Sequence, residues 1–172
     1  MQEEVVLIPK SRIAILVGEK GVDKKMLQRA GKCSLNIDSK TGEVTVRTDD
    51  AMGLWRACDV VRAVGRGFPP EVARKLFKEN FGYELISISD FARNKNDESR
   101  LRGRVIGEKG SAKARIQFLT QTLIRVQGKT VSILGDQENI PLARQAIEML
   151  LTGAPHPRVY AHITERLKEK HD

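Results

Sequence analysis

The chain has 172 residues, a net charge of +8 and a sequence pI of about 9.7, with 30% charged and 5% aromatic residues. A basic balance of this size favours a polyanionic partner, through phosphate neutralisation and counterion release, although a solvated basic surface alone would give the same charge. No apolar run approaches a membrane span. Cys33 and Cys58 lack the CxxC spacing of a zinc site and read as free thiols in a reducing compartment. The acidic start Met1-Gln2-Glu3-Glu4 is unlike a signal peptide, so the expected location is the cytoplasm.

In chain order, Glu4 to Ile8 is a short apolar run stopped by Pro9 and reads as a strand. Ser11 is placed to cap a helix through Ile13, Ile15, Leu16 and Val17, which Gly18 ends in a left-handed cap. Gly21 opens a second helix, Val22 to Ala30, with Asp23 in its first turn and Gly31 as its stop. Cys33 to Asp38 alternates as a strand, Thr41-Gly42 turns, and Val44 and Val46 mark the next strand. Leu54, Ala57, Cys58, Val61 and Val64 recur at helical spacing. Gly65 to Pro70 breaks the pattern, and Pro70 to Asn80 reads as a short linking helix.

The same order then repeats. Leu85 to Ile88 is the equivalent first strand, followed by a polar insertion from Asp90 to Asn96. Asp97 or Ser99 caps a helix carrying Arg100, Arg102 and Arg104. Ala112, Ile116, Leu119 and Leu123 stripe the next helix. Leu123 to Val126 and Thr130 to Leu134 are strands, and Ile140 to Leu151 is the last helix of the repeat. Arg158 to Lys170 adds a further helix.

The duplication is visible in register. Gly18-Glu19-Lys20-Gly21 recurs as Gly107-Glu108-Lys109-Gly110, an offset of 89 positions (107 − 18). At that offset Leu35 and Ile37 fall on Ile124 and Val126, and Asp59 falls on Glu148. A repeat of this kind means two small domains, each near the lower limit for an independent core and therefore expected to pack on the other.

Gly-x-x-Gly between two helices has a physical logic. The first glycine permits a sharp exit and a close approach of backbone to ligand. The second starts a helix, whose free N–H groups and positive dipole end receive a phosphate. Lys20 and Lys109 add charge at the loop tips, while Ile15, Leu16, Leu35 and Ile37, and in the second half Val105, Ile106, Ile116, Ile124 and Val126, are candidates for an apolar floor under bases. The binding set expected from sequence is Arg102, Gly103, Arg104, Val105, Ile106, Gly107, Glu108, Lys109, Gly110, Lys113, Arg115, Ile116 and Arg125. Its weaker equivalent in the first half is Ile15, Gly18, Glu19, Lys20, Gly21, Lys24 and Lys25.

An apolar helix, Gly-x-x-Gly, helix, strand, strand and helix resembles the K-homology (KH) RNA-binding domain of type I, which clamps about four nucleotides. The resemblance implies an α+β fold of two tandem β-α-α-β-β-α modules, each a three-stranded antiparallel sheet covered by helices on one face. The expected boundaries are 1–67 and 81–154 for the modules, 68–80 for the linker and 155–172 for a C-terminal helix. Leu101 to Lys113, Asn139 to Arg144 and Leu151 to Tyr160 are similar to the small-subunit ribosome-assembly family that partners the Nob-one nuclease. That likeness implies binding near the 3′ end of small-subunit (16S) rRNA during its maturation, and contact with the trimming nuclease. The start at the first module, without a long N-terminal extension, implies an archaeal form. Eukaryotic members have lost the first glycine loop, which leaves open whether one module here binds RNA or both.

Other chemistries fail on spacing. Gly103 to Lys109 misses the Gly-Lys-Ser/Thr order of a phosphate-binding NTPase loop. His156, His162 and His171 have no metal-ligand pattern, and no nucleophile elbow is present. The reading is therefore a non-enzymatic single-stranded RNA binder without metal or cofactor. Two alternatives are a general RNA or single-stranded-DNA regulator, and a protein adaptor docking a nuclease or a translation initiation factor.

Overall fold

Alternation of buried and exposed positions sets the first sheet. The computed structural model describes residues 1–172, which separate into two units, Met1–Phe81 and Gly82–Asp172. In the first, β1 (Gln2–Leu7) and β2 (Ser34–Ile37) flank β3 (Glu43–Thr48), each antiparallel to it. Val6 pairs with Val44 and Leu35 with Val46, and all four are buried. Strand period two puts them on one face, against the helices.

Those helices are α1 (Ile13–Val17), α2 (Val22–Gly31) and α3 (Ala51–Gly65). Ala57, Cys58, Val61 and Val64 form the buried stripe of α3. Asp50 caps α3, accepting from the Gly53 amide at 2.9 Å. Ser11 makes no cap: the chain enters α1 through a 3-10 turn at Lys10–Arg12, whose start is the rigid Pro9. Gly31 is not the stop of α2 either. It is the last helical residue, and Lys32 takes the left-handed position at φ 48°. Gly31 is small because the Phe77 ring lies against it.

Phe77 belongs to the stretch expected as a linker. There α4 (Pro70–Ala73) and a 3-10 turn at Arg74–Phe77 pack on α2 and α3. Phe68, Ala73 and Leu76 are buried, so the apolar side chains of 68–80 fasten it to the first unit. Burial first, then the Glu4 carboxylate, push the Cys58 thiol up to about 12, so it stays protonated.

The second unit repeats the order with β4 (Phe81–Ser87), α5 (Lys95–Ile106), α6 (Ser111–Thr120), β5 (Leu123–Gln127), β6 (Thr130–Asp136) and α7 (Ile140–Leu151). Its sheet order is β4-β6-β5, the same central third strand as before. Leu101, Val105, Ile116, Ile124, Ile133 and Ile147 form its core. A further helix, α8 (His156–His171), packs on α6 and α7 through buried Val159 and Ile163. The fold is thus α+β, with two three-stranded antiparallel sheets and helices.

The polar insertion supplies the start of α5. Asn94, not Asp97 or Ser99, is the cap, accepting from the Asp97 amide at 2.9 Å. Asp97 lies one turn inside, where it accepts from the Arg93 amide at 3.1 Å and from Arg100 Nε at 2.8 Å. Those two donors, the amide first, hold its carboxyl below the usual carboxylate range.

Candidate nucleic-acid interface

The two glycine loops have the same backbone. Gly18 and Gly107 have φ 75° and 76° with ψ 173° in both. Lys20 and Lys109 are left-handed at φ 55° and 54°, and Gly21 and Gly110 follow at φ 76° and 77°. The sequence expectation of a left-handed Gly18 is therefore corrected. The first glycine is extended with positive φ, a region open essentially to glycine alone, and the left-handed turn comes two residues later. In each loop the second glycine donates to the carbonyl of the first at 3.2 Å.

The four glycines are required for different reasons. A Cβ on Gly107 would lie 2.6 Å from the Ala112 Cβ and amide nitrogen, whereas nothing lies within 4 Å of one on Gly110. Gly107→Ala should therefore destabilise the second unit by about 3 kcal/mol or more, from forced torsion plus overlap. Gly110→Ala should cost about 1 kcal/mol, from torsion alone. Urea unfolding followed by circular dichroism ranks the two. Nothing lies within 4 Å of a Cβ on Gly21 either, so the backbone is open at the second glycine of both loops.

The expected cations divide into free and engaged. Lys109 and Arg102 are exposed, Lys113 is half-buried, and none has an ion pair. Lys20 and Lys25 are exposed, and Lys24 half-buried, around the first loop with exposed Glu19; Glu108 is exposed in the second. Arg104 is engaged inside its unit. Its Nε donates to the Leu150 carbonyl at 2.9 Å and its Nη2 to the Ala154 carbonyl, so it fastens the end of α7 and the turn after it. Arg12 does the same for α3, donating to Val64 and Phe68 carbonyls at 2.8 and 3.2 Å. Arg100 is bound to Asp97, Arg125 donates to its neighbour's carbonyl Ile124 at 3.1 Å, and Arg115 lies over the Tyr160 ring.

The expected apolar floor also divides. Leu16, Leu35, Val105, Ile116 and Ile124 are core. Ile15, Ile37, Ile106 and Val126 are at least partly exposed. Gly103 lies on the exposed side of α5 with no atom within 4 Å of an added Cβ.

The residue behind the first glycine differs between the loops. Asp23 and Ala112 are equivalent at the same offset of 89 (112 − 23). A Cβ on Gly18 would overlap the Asp23 carboxylate oxygen and lie 2.8 Å from its Cβ and Cγ. A carboxylate thus backs the first glycine of one loop and a methyl group that of the other. The sequence shows Asp23 in the first turn of its helix, but not the contact of its carboxylate with Gly18.

Residues 82–168 match the model of the PNO1 second KH domain, described as a eukaryotic type KH domain of type I. The chain is 41% identical to the KH domain-containing protein MJ0443 of Methanocaldococcus jannaschii, over 97% of this chain and 74% of that one. The chain belongs to the PNO1-type KH family. Within the family, the pre-rRNA-processing protein PNO1 of Candida albicans is 31% identical, over 80% of this chain and 52% of that protein. The aDim2p chain in the Pyrococcus horikoshii OT3 a/eIF2alpha-aDim2p-rRNA complex superposes with a TM-score of 0.89 at 42% identity. That match covers 98% of this chain and 95% of the other. No helix here is long and apolar enough to cross a membrane.

Proposed function

We propose that this PNO1-type chain is two tandem type I KH modules that bind single-stranded RNA at the 3′ end of small-subunit rRNA during its maturation in the cytoplasm. The observation that carries the reading is the glycine loop built twice with the same torsions, open at its helix start and flanked by unpaired Lys109, Lys113 and Arg102. Kinship with a protein solved together with rRNA and a/eIF2alpha supports the choice of RNA and of an initiation-factor partner. The maturation step and contact with a processing nuclease follow from the pre-rRNA-processing name of the Candida relative and from the sequence likeness. The chain itself is a binder, not a catalyst.

The second loop carries the principal grip. Phosphate meets the α6 start with only a methyl group behind it, whereas the α2 start already has the Asp23 carboxylate. Arg102, Lys109 and Lys113 face the phosphates. Arg104 positions α7 rather than RNA, and Ile106 and Val126 meet bases. The first loop, with Gly18, Glu19, Lys20, Gly21, Lys24 and Lys25, is the weaker site.

Gly103 fits this reading. A glycine inside a helix costs about 1 kcal/mol relative to alanine, and nothing within the unit requires one there. Close approach of the strand to α5 does. Gly103→Ala is expected to stabilise the fold by about 0.5–1 kcal/mol in thermal melts, while weakening RNA binding severalfold. Crosslinking in cells followed by sequencing of the attached RNA tests the function: reads should pile up at the 16S rRNA 3′ end. Reads spread over messenger RNA or DNA would replace this function with that of a general regulator.

A further inference from the structure

After α7 the second unit has a full helix where the first unit has only α4 and a 3-10 turn, and α8 begins at the Arg104 carbonyl, beside the proposed RNA grip. His156 Nε2 lies 2.8 Å from the Arg104 carbonyl, which can only accept, so that nitrogen carries the proton. Arg104 is in the last turn of α5, just before Gly107. From α6, Arg115 reaches across to α8, with its guanidinium 4.5 Å from the Tyr160 ring centroid. Arg115 is exposed and has no ion pair. Together they head a surface groove of about 550 Å³, walled further by Pro157, Thr164 and Lys168, with Glu165 its one acid.

This groove is on the far side of α6 from β5. Gln117 Oε1 accepts from the Ile124 amide at 2.7 Å, so that face of α6 turns to β5. Arg115, two positions earlier, points about 200° away around the helix. Arg115 is five positions past Gly110 on α6, about 7.5 Å along the helix axis, so a strand carried over Gly110 onto this side of α6 comes within reach of the groove. There it meets an arginine plane and a phenol ring, both surfaces on which unpaired bases stack, and cations in excess of acid for its phosphates.

We propose that Arg115 and Tyr160 form a stacking subsite that extends the RNA path of the second loop onto α8. This deepens the RNA-binding reading and rests on it. The test is fluorescence anisotropy of the full chain with single-stranded RNAs of about four to about twelve nucleotides. Tyr160→Leu keeps apolar packing without the ring, and Tyr160→Phe keeps the ring. Lengthening the RNA should raise affinity for the wild type and for Tyr160→Phe, and Tyr160→Leu should lose about fivefold or more of that gain. A gain of the same size in Tyr160→Leu, or no gain in the wild type, would overturn the subsite while leaving the loop reading in place. Poly-glutamate binding abolished by Tyr160→Leu, with the RNA series unchanged, would give the groove to an acidic protein segment instead. Wild-type failure at every length would remove the loop reading as well.

Discussion

Replacing the second loop tip by Asp-Asp, through Glu108→Asp and Lys109→Asp, is expected to lower affinity for a 16S rRNA 3′-terminal oligonucleotide by about 10- to 100-fold. A charge-assisted contact contributes about 1.5–3 kcal/mol, and each 1.4 kcal/mol is tenfold. The one new carboxylate, at position 109, adds repulsion at the α6 start, where the helix dipole otherwise attracts phosphate. The melting temperature should barely move. Both tip side chains are exposed, both glycines stay, and aspartate accepts the φ of 54° at position 109 more readily than lysine does. A salt titration adds a second readout, because each lost phosphate contact reduces the log–log slope by about one. Unchanged affinity with an intact melt would count against the second loop.

Exchanging the residues behind the two first glycines should shift binding between the loops. Ala112→Asp puts a unit charge within a few ångströms of the phosphate site, which costs from about 1 kcal/mol at the dielectric of water to about 4 near a protein surface, and hence roughly tenfold or more in affinity. Ala112→Asn has the same bulk without the charge, so the ratio between these variants isolates electrostatics from packing in a buried position. The converse change, Asp23→Asn, should raise the residual RNA affinity of a chain whose second loop carries Asp-Asp. Equal binding by Ala112→Asp and Ala112→Asn would show that the carboxylate does not govern the choice of loop.

The parts of this molecule that glycine dictates were legible in its sequence. Gly107 is forced by torsion and by Ala112 behind it, so the loop pattern survives in the letters, and its repetition reveals the duplicated sheet and helices. Side-chain allegiance was not legible. Arg104 reads as one more cation near the loop, yet the fold brings the end of α7 to it, and the carbonyls of Leu150 and Ala154 take its donors. Arg100 is drawn to Asp97 in the same way. Segment 68–80 reads as a linker because Gly65, Gly67 and its prolines break periodicity, but Phe68 and Leu76 are too apolar to remain outside a core. The contact of Arg115 with the Tyr160 ring joins α6 to α8, and no spacing in the sequence marks it.

Backbone amide shifts, followed by NMR while single-stranded rRNA 3′-end oligonucleotide is added to the full chain, test the central claim most directly. The amides of Glu108, Lys109, Gly110 and Ser111 should move most, saturably, with those of Glu19 to Val22 moving far less. Saturable binding that leaves the Gly107–Gly110 amides unmoved would contradict it.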